Sequence, residues 1–352
     1  MALLFISLVI AGIAAEVLLR AIAPQNFDIH PRGLYTADAS VGYVLSPGVT
    51  GTLERSEFSH DVSIGPAGLR GPDPRPRQPN TFRVVCLGDS FTWGFGVGDD
   101  EAFPSVLERR LANRYPAIDA QVVNAGVPGY GTYDELRFLQ SRLDLLDPDL
   151  LVLTFLAEND FVESRDPALG RVRVEDGWLR SPVPPREEPW QTLDWIKNHS
   201  HAARLLSERA GYLATRSGLL SVERIAPRVS PEDEELALRL LGEIARLAGT
   251  RGAATVFMFT SSQAPVIAEA AAEIAGSNIV ARAAREAGAG HIDLPAVFRM
   301  REDRFELYYQ RDGHWTAAGH SAAAEALYDY IDARFSSKIE GRATVAKAPE
   351  GN

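Results

Sequence analysis

The stretch Val84-Val-Cys-Leu-Gly-Asp-Ser-Phe-Thr-Trp-Gly94 is the clearest indication of the fold of this chain. It opens, with Phe82, as a continuous apolar run and stops abruptly at Gly88-Asp-Ser90. Such a run is typical of a buried strand in a parallel sheet, and ligands of these sheets bind beyond the carboxyl ends of the strands. We therefore expect Ser90 at the mouth of a crevice, near the start of a helix, as either a helix N-cap or a nucleophile. Cys86, the single cysteine, lies inside the run and is expected to be a small buried apolar residue.

The strand run opens a regular alternation of strands and helices. Further strands are predicted in four places, namely Gln121–Asn124, Leu150–Leu156, which should be fully buried, Ala254–Phe259 and Ile292–Leu294. Helical spacing of apolar residues separates them. The alternation predicts the α/β class, as a three-layer α/β/α sandwich around a flavodoxin-like parallel sheet of about five strands.

The remaining segments depart from this pattern. Residues 24–80 are rich in Pro and Gly with short β-prone pieces, which predicts a β-rich extension and linker before a main domain at 81–335. Residues 161–229 interrupt the alternation with prolines and tryptophans and are expected to be an insertion over the crevice. Residues 336–352 are mostly polar and are expected to be a disordered tail.

The first 23 residues form an apolar segment with only two charged side chains, Glu16 and Arg20. Its length suits a helix that spans a bilayer, and the two charges are four residues apart, so they can pair. A signal peptide is less favoured, because no positive residue precedes the run and no small-x-small site ends it. A buried core helix is also less favoured, because the segment lacks a polar face. The sequence predicts a single transmembrane anchor over residues 1–23.

Composition limits the function classes. The chain has 352 residues, of which 45% are apolar and 24% charged, so it can bury a large core. Its net charge of −11 argues against a nucleic-acid partner and supplies no basic patch for acidic lipids.

Polar or glycine-rich groups follow the strands at four places, namely Ser90, residues 124–131, Asn159, and Asp312 with His314. Residues two apart project to the same side of an extended segment, so Asp312 can reach Nδ1 of His314 and leave Nε2 toward a nucleophile. The N–H of Ser90, a glycine N–H of the second place and the Asn159 amide can donate to an oxyanion. Taken singly, each residue is equally a cap, a turn or an ordinary loop residue. Together and in this order, they favour a serine hydrolase.

The four places resemble the sequence blocks of the SGNH (GDSL-type) hydrolase superfamily. The matching segments are Gly88-Asp-Ser90, Asn124-Ala-Gly-Val-Pro-Gly129, Ala157-Glu-Asn-Asp160 and Asp312-Gly-His314. Two departures stand out: Ala157 replaces the usual glycine, and the Asp-x-His spacing replaces the commoner Asp-x-x-His.

The resemblance implies the SGNH fold and the roles of the site residues. Ser90 is the implied nucleophile, and Asp312 and His314 complete the triad. Ser90, Gly129 and Asn159 are the implied oxyanion donors, and no metal or cofactor is implied. The flanking aromatic residues Trp93, Phe95 and Tyr130 are expected either to line the pocket or to be structural.

The function expected from this resemblance is a serine esterase that hydrolyses short acyl or O-acetyl esters of a small molecule or carbohydrate through an acyl-Ser90 intermediate. The short Asp-x-His followed by Trp315 resembles domains that acetylate exopolysaccharides, so an O-acetyltransferase acting on a cell-envelope polysaccharide is the alternative. A non-catalytic carbohydrate-binding module is a further alternative. It is disfavoured by four intact residues, namely Ser90, Asn159, Asp312 and His314. The apolar N-terminus and Gly68-Leu-Arg-Gly71 resemble bacterial members with a membrane segment. That resemblance implies a membrane-anchored protein whose main domain is periplasmic or extracellular. The oligomeric state stays open.

Overall fold

The computed structural model describes residues 2–23, 29–165, 172–180, 196, 199–216, 229–262 and 271–345. Its strands, in chain order, are β1 (Tyr35–Asp38), β2 (Gly42–Leu45), β3 (Thr50–Glu54), β4 (Ser59–Ser63), β5 (Thr81–Gly88), β6 (Asp119–Gly126), β7 (Leu150–Leu156), β8 (Arg173–Glu175), β9 (Trp178–Arg180), β10 (Ala254–Thr260) and β11 (Gly290–Asp293). Its helices are α1 (Ala2–Ile22), α2 (Ser90–Trp93), α3 (Phe103–Arg114), α4 (Thr132–Leu146), α5 (Asp160–Glu163), α6 (His201–Arg216), α7 (Pro231–Gly249), α8 (Ala271–Ala287), α9 (Leu294–Arg299) and α10 (Ala317–Val345).

A five-stranded sheet in the order β11-β10-β7-β5-β6 forms the centre of the fold, and every neighbouring pair is parallel. The chain passes from β5 to β6 on one side and then to β7 on the other. The strand order therefore reverses at β5, and in such sheets ligands bind outside the carboxyl ends of the strands at that point. The predicted α/β class and the parallel sheet of five strands are confirmed.

Helices cover both faces of the sheet. Alternate side chains of β5 belong to two separate cores: Val85 and Leu87 pack on the side of α4 and α7, and Val84 and Cys86 on the side of α3 and α10. Burial on both faces explains why this strand is a continuous apolar run rather than an alternating one. Cys86 is fully buried, as expected, and burial raises the pKa of its thiol.

The extension before β5 contains two antiparallel hairpins, β1–β2 and β3–β4. Tyr43 on β2 donates a hydrogen bond to the Pro128 carbonyl at 2.9 Å, and the Tyr130 hydroxyl donates back to the Tyr43 carbonyl. Arg70 is only 2% exposed. It donates hydrogen bonds to the carbonyl of Trp93, the last residue of α2, and to the carbonyls of residues 94 and 97, which follow this helix. The extension is therefore bonded to the segments that follow β5 and β6.

Helix α1 carries the Glu16–Arg20 pair predicted from the sequence, with Nε and Oε1 2.8 Å apart. The Glu16 carboxylate also accepts hydrogen bonds from the Ser200 hydroxyl and from the backbone N–H groups of His201 and Ala202. It therefore caps the amino end of α6. Across the described ranges, no helix combines the length and the apolar character needed to cross a membrane. The predicted transmembrane anchor is not supported.

The C-terminal segment differs from the sequence prediction, and the predicted insertion is described only in part. Helix α10 continues to Val345, because Ile339 is buried and Arg342 donates to the Thr81 carbonyl and the Asp149 carboxylate. Residues 336–345 are therefore helical and packed rather than disordered, and 346–352 lie outside the described residues. Of the predicted insertion, the β8–β9 hairpin and α6 are described, and the hairpin bonds to the extension through Tyr35.

Candidate active site

Ser90 lies at the first position of α2, immediately after β5. The N-cap of this helix is Asp89, whose Oδ1 accepts a hydrogen bond from the Phe91 N–H at 2.9 Å. Asp89 therefore caps the helix, and the Ser90 hydroxyl can form a hydrogen bond with another residue. Gly88 is required at this sharp strand-to-helix turn, because a Cβ there would lie 2.9 Å from the Thr92 Cβ.

The Ser90 hydroxyl meets His314, and His314 meets Asp312. Ser90 Oγ is 2.9 Å from His314 Nε2, and His314 Nδ1 is 2.6 Å from Asp312 Oδ1. A carboxylate can only accept, so Nδ1 carries the proton and Nε2 is left to accept from the serine. In this arrangement the imidazole can act as a general base toward the hydroxyl. The structure thus brings together the three residues that the sequence predicts as catalytic.

The short Asp-x-His spacing works because Gly313 has φ of +86°, in the left-handed region that favours glycine. The turn is closed at both ends: the Gly313 N–H donates to the Tyr309 carbonyl at 3.1 Å, and the Tyr309 N–H donates to the His314 carbonyl at 2.9 Å. We call residues 309–314 the acid loop. Its departure from the commoner spacing does not prevent contact between the carboxylate and the imidazole.

The surroundings of Asp312, whose side chain is 12% exposed, set its charge state. Burial is the largest influence and acts to raise the pKa of this carboxyl. The hydrogen bond and charge of His314, together with the charge of Arg55, act in the opposite direction and outweigh it, so the pKa lies below its usual value. Asp312 is therefore ionised at neutral pH.

Gly129 and Asn159 follow β6 and β7, the two neighbours of β5 in the sheet. Gly129 has φ of +83°, and a Cβ there would lie 2.9 Å from the Tyr43 hydroxyl oxygen. The segment that carries Asn159 is fixed by the next residue: Asp160 accepts from the Leu156 N–H at 2.6 Å and from the Thr132 hydroxyl at 2.8 Å. Donation by Gly129 and Asn159 to an oxyanion stays a prediction.

Asp160 and Asn124 support the site, although the sequence motifs did not predict this role for them. Asn124, at the end of β6, accepts from the Gly126 N–H and donates to the Trp93 carbonyl, both at 3.1 Å. It thereby ties the end of α2 to the neighbouring strand. The available signal was a buried polar residue at the end of an apolar strand, since such groups are almost always hydrogen-bonded.

Ala157, which replaces the family's glycine, causes no backbone strain. Within the described ranges, the non-glycine residues with positive φ are Asp147 and Asp176, so Ala157 does not have positive φ. Its N–H donates to the Thr260 carbonyl at 3.1 Å, in continuation of the β7–β10 pairing.

Two phenylalanines contact the imidazole. The ring centroids of Phe91 and Phe95 lie 4.9 Å and 4.6 Å from that of His314. Trp93 and Tyr130 are fully buried, which makes them structural. Phe95 is therefore the one of the three flanking aromatic residues that adjoins the site.

The described residues contain no group of three or more His, Cys, Asp and Glu side chains arranged to hold a metal ion.

Comparison with known proteins identifies the family. Residues 86–322 match the model of the GDSL-like Lipase/Acylhydrolase family. No curated protein matches the chain.

Solved structures similar to the chain have low identity. They include the lipase/acylhydrolase from Enterococcus faecalis, with 14% identity and a TM-score of 0.43 over 72% of this chain and 96% of that one. A two-domain esterase active on acetylated mannans has 13% identity and a TM-score of 0.43, over 77% of this chain and 51% of that one. An acetylxylan esterase from Geobacillus stearothermophilus has 16% identity and a TM-score of 0.41, over 71% and 94%. At these scores the likenesses carry no argument about substrate.

Proposed function

Because this chain belongs to the GDSL-like lipase/acylhydrolase family and is a serine hydrolase acting on esters, we propose that it hydrolyses short acyl or O-acetyl esters of a small molecule or carbohydrate. The reaction passes through an acyl intermediate on Ser90. The observation that carries the proposal is the pair of contacts from Ser90 to His314 at 2.9 Å and from His314 to Asp312 at 2.6 Å.

The proposed mechanism has two halves with the same base. His314 Nε2 takes the proton of Ser90 Oγ as the oxygen attacks the ester carbonyl, and the imidazolium then protonates the departing alcohol. A water molecule enters, loses its proton to the same nitrogen and attacks the acyl-enzyme, after which the proton returns to Ser90. Asp312 remains ionised throughout, holds the Nδ1–H tautomer and stabilises the imidazolium.

Charge develops on the carbonyl oxygen in both halves. The N–H groups of Ser90 and Gly129 and the side-chain amide of Asn159 are the proposed donors to this oxyanion. One such donor is typically worth about 3–4 kcal/mol in the transition state. The support for this part is their common location, since all three follow adjacent strands at one edge of the sheet.

The contacts of His314 with Phe91 and Phe95 favour a small acyl group. Phe91 is 4% and Phe95 8% exposed, so both rings are fixed by packing on this side of the nucleophile. We infer that these fixed rings limit the space beside the nucleophile, so an acetyl ester should be a better substrate than an octanoyl ester.

The test compares Ser90→Ala with the wild type on p-nitrophenyl acetate, butyrate and octanoate. Ser141→Ala is the matched control, because that hydroxyl, on α4, donates to the Phe138 carbonyl of its own helix and to no other group in the part of the chain that the structure describes. We expect Ser90→Ala to lower kcat at least about 10³-fold and the control to leave it unchanged. Intact mass after treatment with a phosphonate ester should show one adduct on the wild type and none on Ser90→Ala.

Each outcome decides between functions. Equal rates in Ser90→Ala and the wild type would remove the serine mechanism. Slow hydrolysis with faster transfer of an acetyl group to an added oligosaccharide would replace the esterase by the O-acetyltransferase, which uses the same acyl-serine. Absence of both turnover and adduct, with retained carbohydrate binding, would replace it by the binding module.

A further inference from the structure

The turn between β3 and β4 reaches the acid loop. The carboxylate of Glu57, at this turn, accepts hydrogen bonds from the backbone N–H groups of three consecutive residues of that loop. Oε1 accepts from Gln310 at 3.0 Å, and Oε2 accepts from Arg311 at 2.7 Å and from Asp312 at 2.8 Å. The last donor belongs to the residue whose side chain orients His314.

Consecutive N–H groups that converge on one point form a concave anion site, and a carboxylate in it makes charge-assisted bonds. Such bonds are about twice as strong as those between neutral groups. Three of them to one side chain fix the backbone of the acid loop over residues 310–312.

A second contact ties the same turn to the same loop. Phe58, next to Glu57, is 5% exposed and lies with its ring centroid 4.9 Å from that of Tyr309. The Tyr309 hydroxyl donates to the Gly96 carbonyl at 2.8 Å, so the start of the loop is held against the segment that follows α2. The β3–β4 turn therefore supports the acid loop at its first residue and at its centre.

We propose that Glu57 is a positioning residue of the esterase, which acts through Asp312 and does not touch the substrate. The inference rests on the proposed function, because it requires that Asp312 orient His314. Glu57 lies outside the segment 86–322 that matches the family, so the extension supplies a part of the active site that the matched segment lacks.

The expected effect follows from the geometry. Without the carboxylate, three backbone N–H groups bond to water instead, and the Nδ1–Oδ1 contact of 2.6 Å loses the support that keeps it short. A misplacement of about 1 Å in a catalytic group can cost about 10²-fold in rate. We therefore expect Glu57→Ala to lower kcat about 10- to 100-fold with KM nearly unchanged. Glu57→Gln keeps one accepting oxygen, so its kcat should lie between those of Glu57→Ala and the wild type.

Asp61→Asn is the matched control. This residue lies on β4 of the same hairpin, and among the described residues its carboxylate accepts a side-chain hydrogen bond from the Thr52 hydroxyl alone, at 2.8 Å. It should keep the wild-type kcat. A readout that a merely structural role would not move is the downfield proton resonance of the His314 Nδ1–H in the folded protein. That resonance should weaken in Glu57→Ala at a temperature where circular dichroism matches the wild type.

A double-mutant cycle with Asp312→Ala isolates the route of action. If Glu57 acts only through Asp312, Glu57→Ala costs little further rate in the Asp312→Ala background. Full additivity, or a wild-type kcat in Glu57→Ala, overturns the inference while Asp312→Ala still loses activity. Wild-type activity in Asp312→Ala instead overturns the proposed triad itself. Should Glu57→Ala not fold, Glu57→Gln decides: an unchanged kcat and resonance there overturn the inference.

Discussion

Replacing Asp312 by asparagine separates the charge of the triad from its shape. In an effective dielectric of about 20, opposite unit charges 2.6 Å apart attract by about 6 kcal/mol. The side chain is only 12% exposed, so solvent screens this attraction weakly. A neutral amide keeps a hydrogen bond of roughly half the strength. About 3 kcal/mol of stabilisation of the imidazolium is then lost, which corresponds to about 10²-fold in kcat.

The orientation of the amide enlarges the effect. If its NH₂ group faces Nδ1, the imidazole must carry its proton on Nε2 and can no longer accept from Ser90. This wrong tautomer raises the expected loss to about 10⁴-fold. We therefore expect Asp312→Asn to lower kcat between about 10²- and 10⁴-fold, with little change in thermal stability.

The assay is steady-state hydrolysis of p-nitrophenyl acetate by the full chain, with Asp61→Asn as a second carboxylate-to-amide change. The rate of phosphonate labelling of Ser90 should fall in parallel, because labelling uses the same base. A kcat for Asp312→Asn within a few-fold of the wild type would contradict this prediction, because the carboxylate would then contribute neither charge nor control of the tautomer.

Two further predictions concern residues outside the triad. His320 lies on α10. Burial, aided by the charges of Arg70 and His314, lowers the pKa of this histidine to about 3. Below pH 6.5 the unfolded chain therefore binds a proton at this residue that the native state does not bind. Because of this residue, the free energy of unfolding should fall by about 1.4 kcal/mol for each pH unit as the pH is lowered from 6.5 to about 3. Urea unfolding of His320→Asn should lack this slope, and an identical slope in both proteins would contradict the assignment. In Gly126→Ala, the new Cβ would lie 2.8 Å from the carbonyl carbon of Thr92, so α2 must shift. We expect a loss of about 1–3 kcal/mol of stability and a lower kcat, and an unchanged kcat with a lowered melting temperature would show that Ser90 does not move with α2.

Much of the fold and the triad followed from local patterns. The continuous apolar run of β5 indicated a strand buried on both faces, and the alternation with helices required parallel neighbours. Because parallel strands end at one edge, Ser90 and His314 were expected to meet although they are distant in sequence. The glycine between Asp312 and His314 made the short spacing workable.

The rest depended on contacts that no local pattern encodes. Glu57 lies in a polar turn with no periodicity, and its partners follow it by more than two hundred residues. The role of Glu16 as a cap of α6 likewise comes from tertiary contact, whereas the sequence placed it in an apolar anchor. The packed end of α10 depends on Arg342 and Asp149, and a polar segment with such partners looks disordered when read alone.

The position of the single thiol gives the protein an internal reporter. Cys86 lies on β5, two residues before the turn that carries the nucleophile, and a thiol-directed reagent reaches it only when the sheet opens. The labelling rate of Cys86 therefore measures how often the strand next to Ser90 opens. When reclosure is fast, this rate gives the free energy of opening. Thiol reagents applied to the folded protein should leave its activity unchanged. Inactivation by such a reagent would report opening of the core rather than chemistry at the active site.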